Sequence, residues 1–409
     1  MMRAFLLLTL SVAAIATAQT AAAGDADQAD RIRRGAYQAV LGDCRACHTR
    51  PGGAPYAGGA PLATPFGTLV PPNITPDAET GIGRWSWEDF RSALVRGVGH
   101  GGVRLYPAMP YPNYAKMPEA DIADLWAYMT TIEPVRNAVE ANQLPFPFSI
   151  RALMIGWNLL EFSPEPFRPD ASKSRAWNRG AYLVQGPGHC GTCHTPRTML
   201  GGENTSAALT GAALQGWWAP DITASPVTGL GGWSNAELVA YLKTGVNAHT
   251  IASGPMAEAI AASTSKMTDD DLDAIVMYLL ETGATARRTP SALPADDPAM
   301  RRGGTVYLDT CAACHGGDGR GVRGLFPALA GSRIVVQSDV TTLARTVIAG
   351  SQGVHTSAAP TTPAMPSLGW RLDDTAIAAV LTYVRNSWGN AAGPVGPRTV
   401  GAVRAVAKE

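Results

Sequence analysis

Apolar residues recur at helical spacing in three stretches of this chain, Glu119 to Thr131, Asp269 to Glu281 and Asp373 to Ser387. Acidic side chains open each stretch, as suits the positive end of a helix dipole. An aromatic residue stands near each end: Tyr128, Tyr278 and Tyr383. The pattern predicts three closing helices of one design. Two more helices are expected at Glu88 to Arg96 and Ala236 to Thr244. They follow matching turns, Thr80-Gly81-Ile82-Gly83-Arg84-Trp85-Ser86 and Thr228-Gly229-Leu230-Gly231-Gly232-Trp233-Ser234. Short helical stretches also begin at Arg34-Gly35-Ala36-Tyr37, at Arg179-Gly180-Ala181-Tyr182 and, more loosely, at Arg302-Gly303-Gly304 with Tyr307. A glycine inside a helix costs about 1 kcal/mol relative to alanine. Its recurrence predicts a close backbone crossing, with the closing helix as partner.

These repeats divide the chain into three modules, residues 29–133, 173–283 and 300–388. The first two share more with each other than with the third, which is shorter and lacks the Trp segment. A linker spans 134–172 and carries the apolar run Phe146 to Phe162. A second linker, 284–299, is rich in Pro, Ala and Asp. The tail, 389–409, is rich in Gly, Pro and Val, with several charges and no long apolar run.

The N-terminus reads as an exported leader. Arg3 precedes the apolar run Ala4 to Ala16, and small residues follow, with cleavage after Ala18 or Ala23. The signal peptide is placed at 1–23 and the mature protein in a periplasm-like compartment. No segment reaches the roughly 18 to 20 apolar residues that a membrane span needs. Phe146 to Phe162 is the best candidate for lying on a membrane. Inter-module packing or docking to a partner subunit is the preferred reading there, because Arg151 and Asn158 interrupt the run.

Composition adds two constraints. Hydrophobic residues make up 46% and charged residues 16%, with 44 Gly and 31 Pro, which suits a globular chain with much loop. The formal net charge is zero, so nothing supports a nucleic-acid surface.

The chemistry is carried by cysteine. The chain has six, arranged as Cys44-Arg45-Ala46-Cys47-His48, Cys190-Gly191-Thr192-Cys193-His194 and Cys311-Ala312-Ala313-Cys314-His315. This is the attachment pattern of a c-type heme. Cys44 and Cys47, Cys190 and Cys193, and Cys311 and Cys314 can each form two thioethers to a porphyrin. His48, His194 and His315 are then placed to coordinate iron. Disulfides alone do not explain a His after each pair. Zinc would need a further ligand per site, and no second His is seen to recur at equivalent positions. The reading is three covalently bound heme c groups. The expected fold is mostly α: three tandem class I cytochrome c domains of short helices and long loops, each wrapped round a heme.

A Met as second axial ligand raises the reduction potential and suits electron transfer. Pro107-Ala108-Met109-Pro110, Gly254-Pro255-Met256 and Pro363-Ala364-Met365-Pro366 each offer one ahead of a closing helix. The spacing from His to Met agrees within one residue in the first two modules and is shorter in the third. Met109, Met256 and Met365 are therefore the expected ligands, on stiff loops. Met117 and Met267 compete but have no counterpart in the third module, and are read as packing. His100, His189, His249 and His355 are read as loop or pocket residues. His249, close to Met256, leaves a bis-His second heme as the alternative. Trp85 and Trp233 are expected to wall the heme pockets.

The strings Pro72-Asn73-Ile74-Thr75-Pro76-Asp77, Leu105-Tyr106-Pro107-Ala108-Met109-Pro110-Tyr111, Gly254-Pro255-Met256-Ala257-Glu258 and Tyr383-Val384-Arg385-Asn386-Ser387-Trp388-Gly389 carry a resemblance. The chain resembles the triheme cytochrome c subunits of membrane-associated bacterial dehydrogenases of the alcohol, gluconate, sorbitol and fructose type. The resemblance implies the same three Met ligands. It implies a catalytic dehydrogenase subunit, flavin- or PQQ-type, as partner, ubiquinone as acceptor, and peripheral contact with the periplasmic face of the inner membrane. It implies an electron-transfer subunit without substrate chemistry of its own. A carrier for a molybdenum aldehyde dehydrogenase or a terminal oxidase, and a heme enzyme with one open iron, remain as alternatives.

Overall fold

The computed structural model describes residues 25–283 and 290–407. The signal peptide expected at 1–23 and part of the second linker, 284–289, lie outside those residues. The first module holds α1 (25–41), α2 (Cys44–His48), a hairpin of β1 (Leu62–Thr64) and β2 (Gly67–Leu69), α3 (Trp87–Arg96), α4 (Tyr111–Tyr114) and α5 (Glu119–Met129). The linker forms α6 (Leu153–Glu161). The second module repeats the order with α7 (Arg175–Gln185), α8 (Gly191–His194), β3 (Ala212–Leu214), β4 (Trp217–Ala219), α9 (Asn235–Thr244), α10 (Gly254–Ala262) and α11 (Asp269–Glu281). The third holds α12 (Pro298–Thr310), α13 (Ala312–His315), α14 (Thr341–Ala349), β5 (Ser351–Gln352), β6 (Ala364–Met365), α15 (Asp374–Val384) and α16 (Pro397–Ala407). Short hairpins are the only sheets among the described residues. The fold is mostly α, as the sequence predicts.

The expected crossings are present. A methyl group built on Gly35 would strike the carbonyl oxygen of Asp124 in α5 and the Cβ of Tyr128. On Gly180 it would strike Ala274 and Tyr278 of α11, and on Gly303 Ala379 and Tyr383 of α15. Each glycine lets two helix backbones touch, and each closing-helix Tyr sits over it. Ion pairs brace two crossings: Arg34 Nε meets Asp124 Oδ2 at 2.5 Å, and Arg179 Nε meets Asp271 Oδ1 at 2.7 Å.

Local signals fix α3 and α9 alike. Ser86 with Asp89, and Ser234 with Glu237, form reciprocal capping boxes at the N-termini. Gly97 and Gly245, both left-handed, end the helices. The hairpins share a register, Leu62 opposite Leu69 and Ala212 opposite Ala219.

The modules are closely joined. Leu41, at the end of α1, is fully buried in the apolar cluster of the second module with Leu183, Leu272 and Ile275. The Tyr182 hydroxyl donates to Asp121 Oδ2 at 2.6 Å across the same seam. The second and third modules meet through different groups. Trp218 N–H donates to Thr342 Oγ1 at 2.7 Å, and Gln337 Nε2 donates to the Thr228 carbonyl at 2.7 Å.

The tail contains a helix that its composition does not announce. α16 packs on α14 and α15, burying Val400 and Val403 in the third core. Arg404 Nε bonds Asp374 Oδ1 at 2.7 Å, and the same guanidinium donates to the carbonyls of Gly369 and Leu372.

Candidate heme sites

The three motifs fold alike. α2, α8 and α13 are single turns, each ending on the histidine of its motif. None of the six cysteines forms a disulfide. Burial pushes the Cys44 and Cys190 thiols up to about 12 and Cys311 up to about 11.

One contact recurs in every module. His48 Nδ1 bonds the Pro72 carbonyl at 2.8 Å, His194 Nδ1 the Pro220 carbonyl at 2.7 Å, and His315 Nδ1 the Pro327 carbonyl at 3.0 Å. A carbonyl only accepts, so Nδ1 must carry the proton and Nε2 is left with a lone pair. Burial also pushes all three imidazoles below the usual histidine value, which keeps them neutral. A neutral ring with a fixed tautomer and a free Nε2 is what an iron ligand requires.

The loops bearing these carbonyls are themselves locked. Asn73 Oδ1 accepts from Thr75 N–H at 2.9 Å, and Asp221 Oδ1 accepts from Thr223 N–H at 2.8 Å. A backbone carbonyl has no side-chain signature, so the sequence alone does not single out these prolines. The matching strings Pro72-Asn73-Ile74-Thr75 and Pro220-Asp221-Ile222-Thr223 were the available signal.

The structure also places the methionines. Met109 lies in the loop before α4 and packs with Cys44 and Trp85 on the first core. Met256 is not on a loop but in the first turn of α10, which Pro255 helps to start. Met365 lies in β6, paired with Ser351 of β5. Met117 and Met267 are buried in the cores of the first two modules.

The histidines outside the motifs correct one expectation: a second His does recur. His100 Nδ1 lies 2.9 Å from Asp89 Oδ2 and stacks on Trp85, and His249 Nε2 lies 3.0 Å from Glu237 Oε1 and stacks on Trp233. Each is part of a Trp–His–carboxylate unit whose acid is also the capping-box residue of α3 or α9. The Trp-to-His spacing differs by one residue between modules, which hides the match in the sequence. The bond from His100, foremost, lowers Asp89 to about 2. His189 stands with Nε2 3.4 Å from the Gly42 carbonyl and its ring edge-on to Tyr114. His355 is exposed and bonds the Pro360 carbonyl.

The first two motifs approach each other across the seam: His189, just before Cys190, has Nε2 3.4 Å from the carbonyl of Gly42, just before Asp43 and Cys44. Thr192 Oγ1 donates to Asn113 Oδ1 at 3.3 Å, tying the second motif to α4 of the first module.

The residues fit a heme. Besides the three oriented imidazoles, the indole Nε1 of Trp218, close in sequence to Pro220, is buried without a protein acceptor. It is a spare donor of the kind a porphyrin carboxylate satisfies.

Comparison with known proteins agrees. The family model described as "Cytochrome c" matches residues 300–388. The cytochrome c subunit of gluconate 2-dehydrogenase from Pantoea cypripedii is 40% identical over 95% of this chain and 91% of its own length. The chain belongs to the family of dehydrogenase cytochrome c subunits. The cytochrome c subunit of a quinone alcohol dehydrogenase from Gluconobacter oxydans (strain 621H) is 40% identical over 93% of this chain and 82% of its own. The fructose dehydrogenase cytochrome subunit of Gluconobacter japonicus is 38% identical over 92% and 83%. As a member of this family the chain is an electron-transfer subunit that carries heme c. No helix among the described residues is long and apolar enough to cross a membrane.

Proposed function

We propose that this subunit relays electrons through three c-type hemes, from a periplasmic dehydrogenase catalytic subunit towards membrane ubiquinone. The observation that carries the reading is the threefold His–Pro carbonyl bond, with Nε2 left free in each module. Cys44 and Cys47, Cys190 and Cys193, and Cys311 and Cys314 hold the porphyrins. His48, His194 and His315, together with Met109, Met256 and Met365, would ligate the irons. Heme c supplies an iron that changes oxidation state by one electron.

The protein's own part is orientation and spacing. The proline carbonyls hold each imidazole at a fixed angle. The short motif helices, braced by the Gly-bearing helices, keep the attachment points rigid. The seam between the first two modules keeps two attachment motifs side by side. The relatives are named for gluconate, fructose and quinone alcohol dehydrogenases, which supports a dehydrogenase subunit as electron donor and a quinone as acceptor. The donor's flavin or PQQ type is carried by the sequence resemblance alone. Export of the mature chain after a cleaved leader places the relay in the periplasm.

Purified holoprotein tests the proposal. A pyridine hemochrome assay should return three hemes per chain. A weak near-infrared sulfur-to-iron band should scale with three Met-ligated hemes, and the reduced protein should not bind carbon monoxide. Fewer than three hemes, or carbon monoxide binding without denaturant, would overturn the relay as described.

A further inference from the structure

The first two modules hold their motif histidines with the same loop but not with the same charge. His48 Nδ1 bonds the Pro72 carbonyl, and His194 Nδ1 bonds the Pro220 carbonyl. The next residue is Asn73 in the first module and Asp221 in the second. Both residues are only 2% exposed, and both brace the loop in the same way. Asn73 Oδ1 accepts from the Thr75 amide at 2.9 Å and the Thr75 hydroxyl at 2.8 Å. Asp221 Oδ1 accepts from the Thr223 amide at 2.8 Å and the Thr223 hydroxyl at 2.7 Å.

The other polar atom separates them. Asn73 Nδ2 donates to Thr80 Oγ1 at 3.0 Å and to the Val135 carbonyl at 2.7 Å. Asp221 Oδ2 instead accepts from Thr228 Oγ1 at 2.6 Å. Three donors thus converge on the Asp221 carboxylate, which favours its ionised form. All three are neutral, so the negative charge stays in the interior. Gln337 covers this loop from the third module without adding charge. Its Oε1 lies 3.4 Å from the Asp221 amide nitrogen, and its Nε2 donates to the Thr228 carbonyl. Glu203 and Arg197, beyond the second motif, are opposite charges on bridged backbone. A buried carboxylate without a cation beside it is costly. The neutral amide of Asn73 shows that the loop does not need one. In the third module Pro327 is followed by Ala328, again without charge.

We propose that Asp221 tunes the second site: its carboxylate lowers the reduction potential of iron bound at His194, a shift that neutral Asn73 does not impose at His48. The inference rests on heme attachment in the second module as proposed above. Oxidised iron carries one more positive charge than reduced iron. A negative charge one residue from the carbonyl that holds the ligand, in a poorly screened interior, favours the oxidised state. Two sites of one design are thereby set apart by a single side-chain atom. This contribution favours electron transfer from the second module to the first.

Spectroelectrochemical titration of the holoprotein tests the inference. Asp221→Asn keeps the shape and both Oδ1 bonds, and its amide can donate to Thr228 as Asn73 does to Thr80. One of the three one-electron waves should rise by about tenfold in equilibrium constant, or about 59 mV, with the other two unchanged. Thr223→Val breaks the hydroxyl bond in the same loop but keeps the charge, and should raise no wave. Three hemes with no upward shift in Asp221→Asn would overturn the inference and leave the relay standing. An equal rise in Thr223→Val would also overturn it, by assigning the effect to the loop. So would loss of heme from Asp221→Asn, by making the carboxylate a structural brace. Fewer than three hemes in the parent would overturn the relay itself, and the inference with it.

Discussion

The Tyr37 hydroxyl donates to Asp271 Oδ2 at 2.7 Å across the seam between the first two modules. Tyr182 and Asp121 make the mirrored bond at 2.6 Å. Tyr37 and Tyr182 end the repeated Arg-Gly-Ala-Tyr string, and Asp121 and Asp271 are each the third residue of a closing helix. A hydroxyl bonded to a carboxylate contributes about 1.5–3 kcal/mol. Asp271 is also bonded by Arg179 at 2.7 and 2.8 Å, so it stays compensated without Tyr37. Tyr182→Phe should therefore lower thermal stability more than Tyr37→Phe. The double variant should loosen the seam without loss of heme, read by hydrogen exchange in α5 and α11.

The glycine crossings predict opposite signs for one substitution. Gly35→Ala and Gly180→Ala should destabilise by about 1–3 kcal/mol, because the added methyl meets a backbone carbonyl that cannot move aside. Gly156→Ala, in α6, meets nothing and should stabilise by about 0.5–1 kcal/mol. Thermal denaturation of the three variants distinguishes the cases.

Met109 and Met117 should separate on replacement by Ala. Met117 is buried in the first core, so its truncation should cost about 2–5 kcal/mol and leave the near-infrared band intact. Met109→Ala should remove about a third of that band, as expected for one of three thioether ligands. Loss of the band in the Met117 variant instead would exchange the two roles.

Asp43 gives a pH dependence with a definite sign. It is left-handed, with Oδ1 buried and unbonded, and burial pushes its carboxyl up to about 8. Lys266 opposes that shift, and Glu258 adds to it. The folded state thus prefers the protonated acid, and the stability it contributes is lost as pH rises from about 4 to about 8. Asp43→Asn keeps the shape and tolerates the left-handed backbone. Its melting temperature should match the parent near pH 4 and exceed it above pH 8. Parallel curves for the two proteins across that range would refute this.

What was legible in the sequence was periodic. The closing helices appear where apolar spacing and acidic starts placed them, α5 and α11 from the predicted first residue. The glycines in the first helices announced their crossings because a helix tolerates glycine only for a reason. What was not legible was backbone or depended on partners. The Pro72, Pro220 and Pro327 carbonyls have no side-chain signature, although they orient the three histidines. His100 and His249 match only once the stacking on Trp85 and Trp233 is seen. α16 hides among Gly, Pro and Val, because its helix is held by Arg404 and by burial of Val400 and Val403 rather than by a strong amphipathic pattern.

The reciprocal tyrosine bonds have a consequence for ancestry. Identical patches exchanging identical contacts are the mark of a two-fold dimer. A single module bearing both the Tyr and the Asp would make both bonds with a copy of itself. The first two modules are thus organised as a fused homodimer. The third joins through Thr342 and Gln337 without reciprocity, as a later guest on one side of that pair would.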